Sequence, residues 1–201
     1  MRKAVDFVWL EGVMEEPAAR RLLAEVPLDT DRATFKVAGS NSQFWSRVPD
    51  RNASASAGLL VVALGDLEQE PCAPALLQKH LPRGRSPSFI LRLAVRMLES
   101  WLLADAETMA SFLGAPKSKL PRNPDRLDHP KKELVALARR HASHALRRDL
   151  VPEEGHSGVV GPGYRPRMED FIRERWRPQK ARLRSESLDH ALVALEKLAN
   201  S

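Results

Sequence analysis

Apolar and polar positions alternate between two kinds of pattern along this chain. Leu59-Leu60-Val61-Val62-Ala63-Leu64 is apolar without a break and runs into Gly65, Asp66, Leu67, Glu68, Gln69 and Glu70. A short run rich in Val and Leu, with no polar alternation, predicts a strand buried on both faces, as in a parallel sheet covered by helices. Ala4–Leu10, β-branched and aromatic, predicts a first strand ending at Glu11-Gly12, and Ala33–Gly39 predicts a second. Ser88–Leu93 predicts a fourth. Helical spacing fills the intervals. Glu15, Glu16 and Pro17 open a helix running to about Val26, a short helix covers Ser40–Val48, and a third runs from Pro71 to about Leu81. Pro49–Gly58 reads as a loop or as the end of the helix before it. A fourth helix, Ala94–Ala104, follows the last strand directly. Strand and helix thus alternate about four times, which implies a parallel, helix-covered sheet.

The pattern changes after Asp105. No further strand is expected. Asp105–Leu113 reads as a helix with Asp105 as its cap, and residues 114–130 form a connection carrying prolines at 116, 121, 124 and 130. Helices are expected over Pro130–Arg148, Arg167–Trp176 and, capped by Ser187, Ser187–Leu198; Val151–Pro166 reads as loop. The expected organisation is an α/β core over residues 1–113 and a helical appendage over 114–201, packed as one structural unit.

Composition adds little to the fold but bears on partners. The 201 residues carry a net charge of +6, with 32 Lys and Arg against 26 Asp and Glu. That excess suits a polyanion such as nucleic acid. Acids gather at Glu11–Glu16 and Asp66–Glu70, and bases gather after residue 80. One cysteine, Cys72, leaves no partner for an intramolecular disulfide and none for a cysteine zinc site. The longest apolar runs fall short of a membrane span, and the N-terminus meets Asp6 before any long apolar region, so a cytoplasmic protein with no membrane partner is expected.

Asp66, Glu68 and Glu70 fall at the carboxyl end of the buried strand, where parallel sheets place ligands. Glu11 falls at the matching place after the first strand. If the two strands are neighbours, Glu11, Asp66 and Glu68 meet over one rim. Carboxylates from two strands can bind Mg²⁺ through a few oxygens and leave water sites for a substrate, and one not fully engaged can act as general acid or base. The bland alternative is a solvated turn whose acids favour the following helix N-terminus.

Strand-Glu11-Gly12 followed by a later strand-Asp66-Leu67-Glu68 resembles the Toprim fold of topoisomerases, primases and related nucleases. Arg96-Met97-Leu98-Glu99-Ser100-Trp101-Leu102-Leu103-Ala104-Asp105, Pro130-Lys131-Lys132 and Gly161-Pro162-Gly163-Tyr164 resemble, in this order, blocks of a Toprim-like bacterial family of unknown function. The resemblance implies a mostly parallel four-stranded sheet flanked by helices with an α-helical C-terminal extension. It implies catalytic and metal-binding roles for Glu11, Asp66 and Glu68 with Mg²⁺ or Mn²⁺, and cleavage of DNA or RNA. It also implies work beside a partner ATPase in prokaryotic defence or repair. Glu68 departs from the family's Asp-x-Asp pair. A nuclease is therefore weighed against a non-catalytic nucleic-acid-binding or adaptor module, and more weakly against a hydrolase or transferase of small phosphorylated molecules.

Glu70 and Glu99 are accessory candidates. Glu99 lies in an apolar helix with Arg96 three residues before it, so it is either a fourth acid or an anchor behind the site, or else a structural ion pair or a solvent-facing residue. On the expected Pro130–Arg148 helix, about 100° per residue puts Lys132, Arg139, Arg140 and Arg147 on one face, able to follow a nucleic-acid backbone or simply be solvated. Tyr164 reads as a packing or hydrogen-bonding residue rather than a nucleophile. His141 and His144 lack a third ligand at zinc spacing, and Gly161-x-Gly163 lacks the Lys-Ser/Thr of a phosphate loop.

Overall fold

A computed structural model describes residues 2–200. Its strands are β1 (Lys3–Ala4), β2 (Phe7–Leu10), β3 (Leu28–Asp29), β4 (Thr34–Val37), β5 (Val61–Asp66) and β6 (Phe89–Ala94). Its helices are α1 (Glu15–Ala24), α2 (Asn41–Ser56), α3 (Ala73–His80), α4 (Leu98–Ala104), α5 (Ala106–Leu113), α6 (Pro130–His141), α7 (His144–Leu150), α8 (Tyr164–Glu174), α9 (Pro178–Ala181) and α10 (Glu186–Ala199). The protein is α/β, with a four-stranded, all-parallel sheet in the order β4-β2-β5-β6 and a helical C-terminal region. The chain divides into two compact units, Met1–Val95 with His190–Ser201, and Arg96–Asp189.

In the first unit, strand alternation sends side chains to two layers. Trp9, Val61, Ala63, Phe89 and Leu91 form a core with Phe44, Trp45 and Val48 of α2 and Leu76 of α3. On the opposite layer Val62 and Leu64 meet Ala19, Leu22 and Leu23 of α1 and Ala191 and Leu195 of α10 around a cavity of only about 20 Å³. β5 is buried along Val61–Gly65, as its unbroken apolar run predicts. The expected first strand is divided: β1 pairs with β3 in a separate two-stranded sheet and only β2 enters the main one. Asp6 explains the division, because its side chain accepts a hydrogen bond from Leu60 N (2.7 Å) and takes the place of a ladder partner.

The helix expected over Ser40–Val48 continues to Ser56 through Pro49, with Ser40 capping Gln43 N. Pro49 itself lies on the exposed side of this helix. The helix expected from Ala94 starts at Leu98, since β6 keeps Ala94 in register with Asp66.

The second unit is helical. α4 is buried along its whole length. Asp105 caps α5 by accepting from Thr108 N (3.4 Å), as expected, and also receives three hydrogen bonds from Arg177. The helix expected over Pro130–Arg148 is in fact two. α6 ends at His141, Ala142 is extended, and Ser143 caps α7 through Leu146 N. A serine that competes for backbone donors ends the first helix and starts the second. α8 begins at Tyr164, earlier than expected. The last helix is capped by Ser185, which accepts from Leu188 N (3.2 Å), not by Ser187, whose hydroxyl accepts from Trp101 Nε1 (2.8 Å). Among the described residues no helix is long and apolar enough to cross a membrane.

Candidate functional site

All four strands of the main sheet point the same way, so their carboxyl ends share one edge. From β2 the chain passes to β4 on one side, then returns to β5 on the other. The switch of direction therefore falls between β2 and β5, where open α/β sheets form their ligand crevice. Glu11 leaves β2 and Asp66 ends β5 at that switch. The bridging contact is direct: Glu11 N donates to Leu64 O (3.1 Å), and Glu11 Oε2 accepts from Asp66 N (3.0 Å). Glu11 Oε1 accepts from Asn41 Nδ2 (3.1 Å) at the start of α2.

Gly65 makes this approach possible. A Cβ there would stand 2.9 Å from Glu11 Oε2 and 2.9 Å from the Phe44 ring, closer than packed atoms sit. Glu11 is only 8% exposed. Burial pushes its carboxyl pKa up; the hydrogen bonds from Asp66 N and Asn41 oppose the shift, and the charge of Glu68 adds to it. The rim thus combines a carboxyl inclined to keep a proton with exposed or half-exposed acids beside it.

Glu68 has φ +50°, a left-handed conformation uncommon for a residue with a β-carbon. The turn it makes carries the chain from β5 toward α3. Glu70 is tied to Lys79 (3.3 Å). Glu68 and Glu70 both line a cavity of about 650 Å³ together with Asn41, Ser42, Ser46, Trp45, Lys79 and His80. Sequence reasoning passed over the residues of α2 and α3 here, because nothing in their spacing distinguishes a cavity wall from an ordinary helix face. His80 stacks on Trp45 with centroids 4.5 Å apart and planes 27° apart. Among the described residues no group of three or more His, Cys, Asp or Glu side chains is placed to hold a metal ion. The donors at the rim are all hard oxygens, the type that Mg²⁺ and Mn²⁺ prefer.

Glu99 belongs to the second unit and is 2% exposed. Tyr164 Oη donates to Glu99 Oε1 (3.0 Å), and Lys131 Nζ lies 3.4 Å from the same oxygen. Burial raises the Tyr164 pKa well above its ordinary value, and the Glu99 charge and hydrogen bond add to the shift. The three sequence blocks around Glu99, Lys131 and Tyr164 therefore converge on one buried carboxylate. The glycines of the third block serve the same packing: a Cβ on Gly161 would meet Asp149 O at 2.5 Å, and one on Gly163 would meet Asp149 Cβ at 2.6 Å.

Lys132, Arg139 and Arg140 are exposed on α6. Arg147 is exposed too but sits on α7, where it donates to Ala142 O (3.0 Å), so the single basic face expected for all four does not form. Leu134, Val135, Leu137 and Ala138 of α6 are buried. Comparisons with protein-family models, with curated proteins and with solved structures return no match.

Proposed function

We propose that the rim bearing Glu11, Asp66 and Glu68 hydrolyses phosphodiester bonds in nucleic acid with a divalent cation, Mg²⁺ or Mn²⁺. The observation that carries this reading is the hydrogen bond from Asp66 N to Glu11 Oε2 across the switch point, 3.0 Å long, which roots acids from two strands on one edge. Asp66 and Glu68 would hold the cation, with Glu11 either a further ligand or the general acid/base; when bound, the cation supplies Lewis-acid stabilisation of charge on the phosphoryl oxygens. Glu11, whose proton affinity burial raises, holds or gives a proton at its carboxyl. Lys132, Arg139 and Arg140, exposed on α6, bind backbone phosphates. Membership of the Toprim-like family rests on the motifs in the sequence, and a partner ATPase on that resemblance alone.

Cleavage of plasmid, single-stranded DNA and RNA with Mg²⁺ or Mn²⁺, wild type against Asp66→Ala, tests the proposal. Metal-dependent cleavage lost in the variant supports it. Absence of such cleavage, or cleavage unchanged by Asp66→Ala, rejects it.

A second reading, a nucleic-acid-binding or adaptor module without turnover, is favoured by one observation: both Glu11 oxygens already accept hydrogen bonds, from Asn41 and Asp66. Calorimetric titration separates the two. The enzyme needs Mg²⁺ or Mn²⁺ binding that Glu11→Gln weakens, whereas the binding module shows salt-sensitive nucleic-acid binding with no metal dependence.

A further inference from the structure

We infer that the cavity beside the acidic rim receives one unpaired nucleoside unit, its base against His80 and its sugar toward Glu68 and Glu70; the inference rests on the nucleic-acid reading above. At about 650 Å³ the cavity is within the size range of small-ligand sites. It adjoins the candidate acids through two shared side chains. Asn41 donates to Glu11 Oε1 and also lines the cavity, and Glu68 belongs to both.

The chemistry of the walls selects the part of a nucleotide that fits. Lys79 is already paired with Glu70 at 3.3 Å, and two carboxylates face the space, so a phosphate inside would meet more repulsion than attraction. Sugar hydroxyls suit those carboxylates, since each can donate a hydrogen bond to an acceptor-only group. The hydroxyls of Ser42 and Ser46, on the α2 wall, can meet the polar edge of a base. His80 supplies an aromatic ring braced by Trp45, whose own indole is buried and fixed. Stacking on such a ring accepts any base and needs it out of a duplex, because a paired base has both faces covered. The phosphates then lie outside, toward the rim, where the reaction is proposed.

The test is equilibrium binding to the full chain in EDTA, by fluorescence anisotropy at fixed salt. The probes are end-labelled ten-nucleotide single strands of DNA and RNA of one sequence, and the corresponding DNA duplex. His80→Ala removes the stacking ring. Ser46→Phe fills the cavity from an exposed helix position. Each is expected to weaken single-strand binding by roughly tenfold and to leave duplex binding unchanged, with melting temperatures confirming the fold. The tighter of the two single strands identifies the sugar the site takes. Failure of both single strands to bind, binding unchanged in both variants, or equal losses for single strand and duplex would overturn the inference. Its failure is separable from that of the phosphodiesterase reading. Metal-dependent cleavage that needs Asp66 but ignores both cavity variants overturns only the nucleoside site. Single-strand binding that both variants weaken, without cleavage, keeps the site and rejects the catalysis.

Discussion

Two glutamates, one in each unit, are buried to nearly the same degree and are treated oppositely. Glu99 meets a cation and a hydroxyl, Lys131 and Tyr164, on a single oxygen. Glu11 meets neutral donors, an amide side chain and a backbone N–H, and has a second acid, Glu68, raising its pKa. A buried carboxylate with a cation behaves as part of the scaffold. One left without a cation holds its proton more tightly and costs the fold something when ionised, which is the arrangement seen where a carboxyl has work to do. The same chemical group thus reads as structure in one unit and as a site in the other.

The largest effect should come from the scaffold side. Glu99→Ala removes the acceptor of the buried Tyr164 hydroxyl and the carboxylate beside Lys131, and breaking a buried pair costs about 3–5 kcal/mol, reduced to ~2–3 because Lys131 is partly exposed. Urea unfolding measures it. A loss no larger than that of an exposed substitution would abolish the contrast. Next is Gly65→Ala, where the added methyl overpacks against Glu11 and Phe44 and costs about 1–3 kcal/mol. A neutral result would show that Glu11 is not held against β5.

Glu11→Gln should go the other way. The wild-type pKa is raised above the ordinary 4.5, so native stability from this group is full below that value and is lost as pH rises through the raised pKa. The glutamine variant, which cannot ionise, escapes that loss and should be more stable relative to wild type near neutrality than in acid, an advantage offset by the acceptor it gives up toward Asn41 or Asp66 N. The gap should close as pH falls toward 4.5. Urea midpoints across that range check the sign, and a gap that widens in acid would refute the contrast. Smallest in stability are Lys132→Ala and Arg139→Ala, each within about 0.5 kcal/mol of wild type. If α6 binds backbone phosphates, each should lower the salt slope of nucleic-acid binding by about 1. An unchanged slope would leave α6 as a solvated face.

The sheet was legible because its signals are local. The unbroken apolar run at Val61–Leu64, and the one at Phe89–Leu93 interrupted only by Arg92, need little beyond themselves to specify buried strands, and Glu11 and Asp66, at the ends of β2 and β5, come together by parallel topology. What escaped was set by tertiary partners. Ser143 could as well lie inside a helix as cap one, and only the packing of Ala142 decides. Ser187 looks like a cap, but Trp101 claims its hydroxyl and Ser185 caps instead. At the site, Glu11 and Asp66 could be paired by topology alone. Asn41 could not, because an amide thirty residues away carries no spacing signal toward a carboxylate. For Glu99, spacing could point only to Arg96 three residues before it; Lys131 and Tyr164, which meet it, come from distant blocks.

The last helix has a kinetic consequence. Its final turns, from His190 on, belong to the unit that holds the sheet, whose other residues end at Val95, so the whole of Arg96–Asp189 is an insertion within that unit. As the chain leaves the ribosome, every strand of the sheet is made before Ala191 and Leu195 exist to cover the layer over Val62 and Leu64. Closing so long a loop adds little to the equilibrium cost but slows the search. Until that helix is made, the part of the layer that α1 does not cover waits open, exposed to aggregation or to a chaperone.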